Sequence, residues 1–154
     1  MADQGIELDV IDLGQQYYED VVAESPAAEG AYVQSNTIPF TEAADSPMLR
    51  LYQRYLEQVD GKQSTLGVQG FSAGLLFATA AASLGNDLTR EGLVEALEGI
   101  TEWDGGGLTM PGNPADNQMS GCFLYMRVID GEFVREFPDE GFECDPDNIV
   151  ATVD

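Results

Sequence analysis

The stretch from Leu66 to Gly107, LGVQGFSAGLLFATAAASLGNDLTREGLVEALEGITEWDGGG, constrains this chain more than any other. Its first part reads as a small-residue helix in which Gly74, Ala78, Ala81 and Ala82 allow another element to approach closely. The apolar run within it, Phe71 to Leu84, is about fourteen residues against the roughly 20 that span a bilayer, and Ser72, Thr79 and Ser83 dilute it. It is therefore expected as a buried core helix. Thr89 then caps a second helix, with Glu91 near the positive end of the dipole and Leu93, Leu97 and Ile100 as its core stripe. Gly105, Gly106 and Gly107 end it. No helix N-terminus or P-loop lysine follows them, so the triplet is turn chemistry and not a phosphate cradle.

Elsewhere the chain mixes strand and helix signals, which makes it α/β. Met1 to Gly5 reads as the last turn of a helix with Gly5 as its cap, and Ile6, Leu8 and Val10 then alternate with Glu7 and Asp9 as a strand. Gly14 to Asp20 is a polar loop, Tyr17 to Ala23 starts a short helix, and Ala31 to Val33 forms a second strand ending at Thr37-Ile38-Pro39. Ser46 and Pro47 open a helix whose apolar face is Leu49, Tyr52, Leu56 and Val59 and whose stop is Asp60-Gly61. After a loop from Gly112 to Asn117, a hairpin from Cys122 to Phe137 turns at Asp130-Gly131. A two-residue type I′ turn there pairs Ile129 with Glu132 and Val128 with Phe133, out to Leu124 with Phe137.

Charge and missing residue types exclude whole classes of function. The 154 residues carry 28 acidic and 6 basic side chains, a formal charge of −22, which repels nucleic-acid phosphates and anionic lipid. With 44% hydrophobic residues the chain still has the apolar content for a core. It contains no histidine, so Ser-His-Asp and Cys-His catalysis and HExxH zinc sites are absent. The carboxylates are scattered, with no pair isolated in an apolar setting, and no metal or cofactor motif is present. The expectation is a protein that is not an enzyme and needs no cofactor. An enzyme would require a cleft holding a carboxylate pair with perturbed pKa values.

Cys122 and Cys144 lack CxxC spacing and have no further Cys or His to complete a metal site. A structural disulfide and two buried free thiols are both open. The hairpin favours the disulfide, because the Pro138 to Phe142 loop can return Cys144 beside Cys122, and a disulfide implies an oxidising compartment. No export signal is visible, since Met1 to Leu13 has neither a basic nor an apolar leader region.

The succession Ala28-Glu29-Gly30-Ala31-Tyr32, the capped helix, Leu66-Gly67-Val68-Gln69-Gly70-Phe71-Ser72-Ala73, Leu88-Thr89-Arg90-Glu91 with Ala96-Leu97, Trp103-Asp104-Gly105 and Val128-Ile129-Asp130-Gly131-Glu132-Phe133 is similar to the C-terminal part of type I periplasmic binding proteins. Within them it most resembles the branched-chain amino-acid-binding receptors of ABC transporters. The resemblance runs from Gly5 to Cys144 and implies the C-terminal portion of a two-lobe, Rossmann-like fold ending in a β-hairpin. It implies that residues 1–38 belong to the C-terminal lobe, 39–116 to the closing helices of the N-terminal lobe, 117–144 to the returning hairpin, and 145–154 to a tail. The first half of such a receptor would lie upstream, and the uncovered faces would favour self-association. The implied role is an extracytoplasmic, periplasmic or cell-surface solute-binding protein. It would take a small amino-acid-like solute and deliver it to a membrane permease. The alternative is a sensor or receptor ligand domain of the same fold. Cleft candidates by this resemblance are Gln15, Gln16 and Tyr17 after the first strand, with Leu66 and Gln69 at the small-residue helix; no glutamate stands at the first of these places.

Overall fold

A computed structural model describes residues 8–116 and 120–145. Met1 to Gly5 and Asn117 lie outside the described residues. The strands are β1 (Asp12–Leu13), β2 (Tyr32–Ser35), β3 (Cys122–Ile129), β4 (Glu132–Phe137) and β5 (Glu143–Cys144), and the helices are α1 (Asp20–Ala23), α2 (Pro47–Gln58), α3 (Thr65–Leu84) and α4 (Arg90–Glu98). The sheet runs β1-β2-β3-β4, with only β1 and β2 parallel, and β5 pairs with the start of β3. The strand expected over Ile6, Leu8 and Val10 does not form at Leu8 to Val10; β1 begins further on, where Asp12 and Leu13 meet Tyr32 and Val33. Pairing with a distant partner set this register, and local alternation did not.

The hairpin follows its sequence signal at the turn and departs from it further out. Asp130 and Gly131 both have positive φ, as a type I′ turn requires. Ile129 faces Glu132, Val128 faces Phe133 and Met126 faces Arg135, but a bulge then sets Tyr125, not Leu124, opposite Phe137. The extra residue lies on β4. Along β3, Leu124, Met126 and Val128 alternate inward and have no exposed surface. They form one core with Tyr18, Ala31, Val33 and Phe133. Tyr18 stacks on Phe40 and meets Phe133 edge-on, and its hydroxyl accepts from the Phe40 N–H. Burial pushes this phenol well above the ordinary tyrosine range, so it stays neutral.

A second core gathers Ile38, Leu49, Tyr52, Val68 and Leu108 between α2 and α3. Ser46 caps α2, its hydroxyl accepting from Leu49 N–H at 3.1 Å. Leu49 and Tyr52 face inward as expected, whereas Val59, placed on the same face by spacing, is 73% exposed because the helix has already ended. Phe40 and Phe142 pack against both cores. The cores are also tied by Arg135 of β4, which grips both carboxylate oxygens of Glu42, at 2.9 Å for the outer pair, and donates to the Pro138 and Gly141 carbonyls.

Two expectations for the helices are corrected. α3 has twenty residues, long and apolar enough to cross a bilayer by length and composition, but it is not buried on the whole: 22% of its most apolar window is inside the structure. Its first half is held by Thr65, Val68 and Ser72, while Leu66 and Phe77 are exposed. Among the described residues nothing lies within 4 Å of a Cβ added at Gly70 or Gly74. Thr89 caps α4 through Gly92 N–H at 3.0 Å as its sequence indicates, yet Leu93, Leu97 and Ile100 are only half-buried. The two helices pack on each other.

Candidate functional site

β2 ends at Ser35, whose hydroxyl donates to Thr37 O at 2.9 Å and accepts from Thr37 N–H at 3.1 Å. This local bonding turns the chain out of the sheet. The emerging segment runs beside residues 108–110: Ile38 N–H donates to Leu108 O, and Met110 N–H donates to Asn36 O. Two crossings between the cores thus lie side by side, and Asn36 projects from one of them towards α3. Its Oδ1 accepts from Gln69 Nε2 at 3.2 Å.

One turn along α3, Ser72 accepts from the indole N–H of Trp103 at 2.9 Å. Residues three apart share a helix face, so Gln69 and Ser72 present their polar groups to the same space. The Trp103 loop reaches Ser72 because of Gly105: its φ is positive, and an added Cβ would stand 2.5 Å from Ser72 Oγ. Asp104 Oδ1 holds the same turn by accepting from Gly106 N–H. The glycine triplet is thus turn chemistry with a purpose, namely to seat Trp103 over α3.

These side chains wall a depression of about 320 Å³ between α3, Asn36, Trp103 and Met110. A second, also about 320 Å³, lies across Asn36 and Met110 and is walled by Gln15, Gln16, Gln34 and Phe123. Asn36, Met110 and Ser120 line both, so the two depressions adjoin, and together they are referred to as the groove. Ser120 is anchored by donating to Pro111 O and accepting from Cys122 N–H. Cys122 is in turn bonded to Cys144, with Cα atoms 4.0 Å apart across the β3–β5 pair. The disulfide expected from the sequence is present.

Of the residues named from sequence, Gln15, Gln16 and Gln69 lie on this groove. Tyr17 is 46% exposed and Leu66 75% exposed, and neither lines it. Sequence reasoning does not single out Asn36, Ser72 or Trp103 as site residues. Ser72 is within reach of the helical spacing from Gln69, but the meeting of Asn36 with Trp103 depends on the paired crossings. Among the described residues no three His, Cys, Asp or Glu side chains converge as metal ligands.

Residues 1–132 match the family model described as periplasmic binding protein. The chain belongs to that family. Solved structures share the fold: a fatty acid ABC transporter substrate-binding protein from Thermomonospora curvata is 22% identical with a TM-score of 0.70, over 96% of this chain and 39% of its own. A branched-chain amino acid ABC transporter protein from Thermus thermophilus with bound valine is 14% identical at a TM-score of 0.70, over 94% and 41%. A leucine-binding protein from Thermotoga maritima is 19% identical at 0.64, over 96% and 40%. The chain therefore spans about 40% of the length of these periplasmic binding proteins, and its α/β architecture is that of part of their type I fold. No curated protein matches the chain.

Proposed function

We propose that this chain is part of an extracytoplasmic solute-binding protein that takes up a small amino-acid-like solute and hands it to the membrane permease of an ABC importer, without chemistry. The observation that carries the reading is the pair of adjoining depressions that meet at Asn36, one walled by Gln15 and Gln16 and the other by Gln69 and Trp103. Their position between two cores is where a two-lobe receptor holds its ligand. Apart from Phe40 and Phe142, which pack against both, the first core draws on residues 11–33 and 124–133 and the second on 38–108. This division favours assigning 1–38 and 117–144 to one lobe, 39–116 to the other, and 145–154 to a tail. The Cys122–Cys144 bridge suits an oxidising compartment.

Such receptors gain affinity by closing two walls on the ligand, and by this reading the chain supplies only part of each. Titration with leucine, isoleucine, valine and a panel of polar solutes, followed by NMR, is expected to shift the Trp103 indole N–H and the Asn36 and Gln69 amide signals. The affinity expected is no tighter than about millimolar, near about −4 kcal/mol. If no solute moves those signals, the groove is not the site. A micromolar affinity abolished by Tyr17→Ala would place a complete site around Tyr17 instead.

A further inference from the structure

Resting on the groove as the solute site, we infer that its lining recognises an uncharged part of the solute, one that combines amide- or hydroxyl-type hydrogen bonding with an apolar flank, and that it rejects a carboxylate. The chain is 22% charged, and its charges are dominated by Asp and Glu. Yet not one described residue lining either depression is Asp, Glu, Lys or Arg. Three other depressions on the described surface each carry two or three acidic side chains. Apart from the Trp103 indole, the polar side chains that line the groove are all amides, Gln15, Gln16, Gln34, Asn36 and Gln69 among them, or hydroxyls such as Ser72.

The hydrogen-bonding state of these groups narrows the chemistry. The indole N–H of Trp103 and the Nε2 of Gln69 are already engaged within the wall. Trp103 therefore offers its ring, beside Leu76 and Met110, while the amides retain unused donors and acceptors. An amide or hydroxyl satisfies both kinds of partner. A carboxylate is acceptor-only: it would leave the acceptors facing it unpaired, would find no cation here, and would enter against the field of −22. An ammonium meets no carboxylate within the groove either. Glu102 and Asp104 border a further depression that adjoins the first, sharing Trp103, Pro111 and Gly112 with it. Their attraction and that of the net charge act over a distance and are screened by salt.

Isobutyramide, isobutyrate and isobutylammonium share one carbon skeleton and separate these cases. At high salt, isobutyramide is expected to move the Trp103, Asn36 and Gln69 signals with an affinity about tenfold above that of isobutyrate, since the anion gains no charged partner for its lost water. Isobutylammonium should fall between them and weaken as salt is raised, whereas the amide should not. Asn36→Asp, nearly isosteric, is expected to reverse the order in favour of the ammonium; the backbone NMR spectrum confirms that its fold is kept. Isobutyrate binding at the same signals as tightly as isobutyramide overturns the inference and leaves the solute-binding reading standing. So does a failure of all three probes where leucine or valine succeeds. Silence from every solute overturns both.

Discussion

The β3–β4 hairpin and the α3–α4 pair are both apolar by sequence, and they have opposite fates. Leu124, Met126 and Val128 of β3 are completely buried, while Leu66, Phe77, Leu88 and Val94 on or beside the two helices are about half exposed or more. The hairpin finds its cover within the chain, from Tyr18, Ala31 and Val33. Tyr52 and Trp103 cover the start of α3, and beyond it the two helices pack on one another. An apolar face thus records that cover is wanted, and it does not record that the described residues provide it.

The contrast can be broken by substitution. Leu124→Ala should cost about 4 kcal/mol, as expected for a large cavity in a closed core, and chemical denaturation would measure it. A small loss would mean that the sheet core is as loose as the helices. Reducing the disulfide should cost roughly 3 kcal/mol by releasing the loop that it closes, read as a lower thermal midpoint in reductant. Arg135→Met should be milder, because it leaves the Glu42 carboxylate and two carbonyls without their donor but on the partly exposed rim of the cores. If the tie between the cores matters more than local stability, that variant melts in two steps. The smallest effect is expected at Phe77→Lys, within about 0.5 kcal/mol. It should nevertheless shift sedimentation towards monomer if the bare face of α3 drives self-association, and an unchanged profile would sharpen the search to another surface.

What was legible in the sequence follows the range of the forces involved. Ser46 and Thr89 announce their helices because a cap is a contact within three residues. Asp130-Gly131 fixes the hairpin register for the same reason, as far as Met126. The bulge beyond it was invisible, since no residue between Arg135 and Phe137 marks an insertion. β1 was displaced because its partner, Tyr32, lies far along the chain and outweighs local alternation. At the groove, Gln15, Gln16 and Gln69 were readable as polar residues in suggestive places. Asn36 and Trp103 were not, because their meeting is created by backbone pairing between residues 36–38 and 108–110 and by the missing side chain of Gly105.

Phe40 and Phe142 are the hydrophobic side chains, among the described residues, that pack against both cores. A neck this thin sets the mechanics of the molecule. Twisting one core against the other disturbs these two rings, the neighbouring guanidinium grip, and the bonds from Thr65 to Gln15 and from Gln69 to Asn36. Hinge motions about contacts of this kind fall in general in the microsecond-to-millisecond range. Because Asn36 and Met110 lie on the segments that cross this neck, a small rotation there widens or narrows the groove directly, as the handle of a pair of tweezers moves its tips.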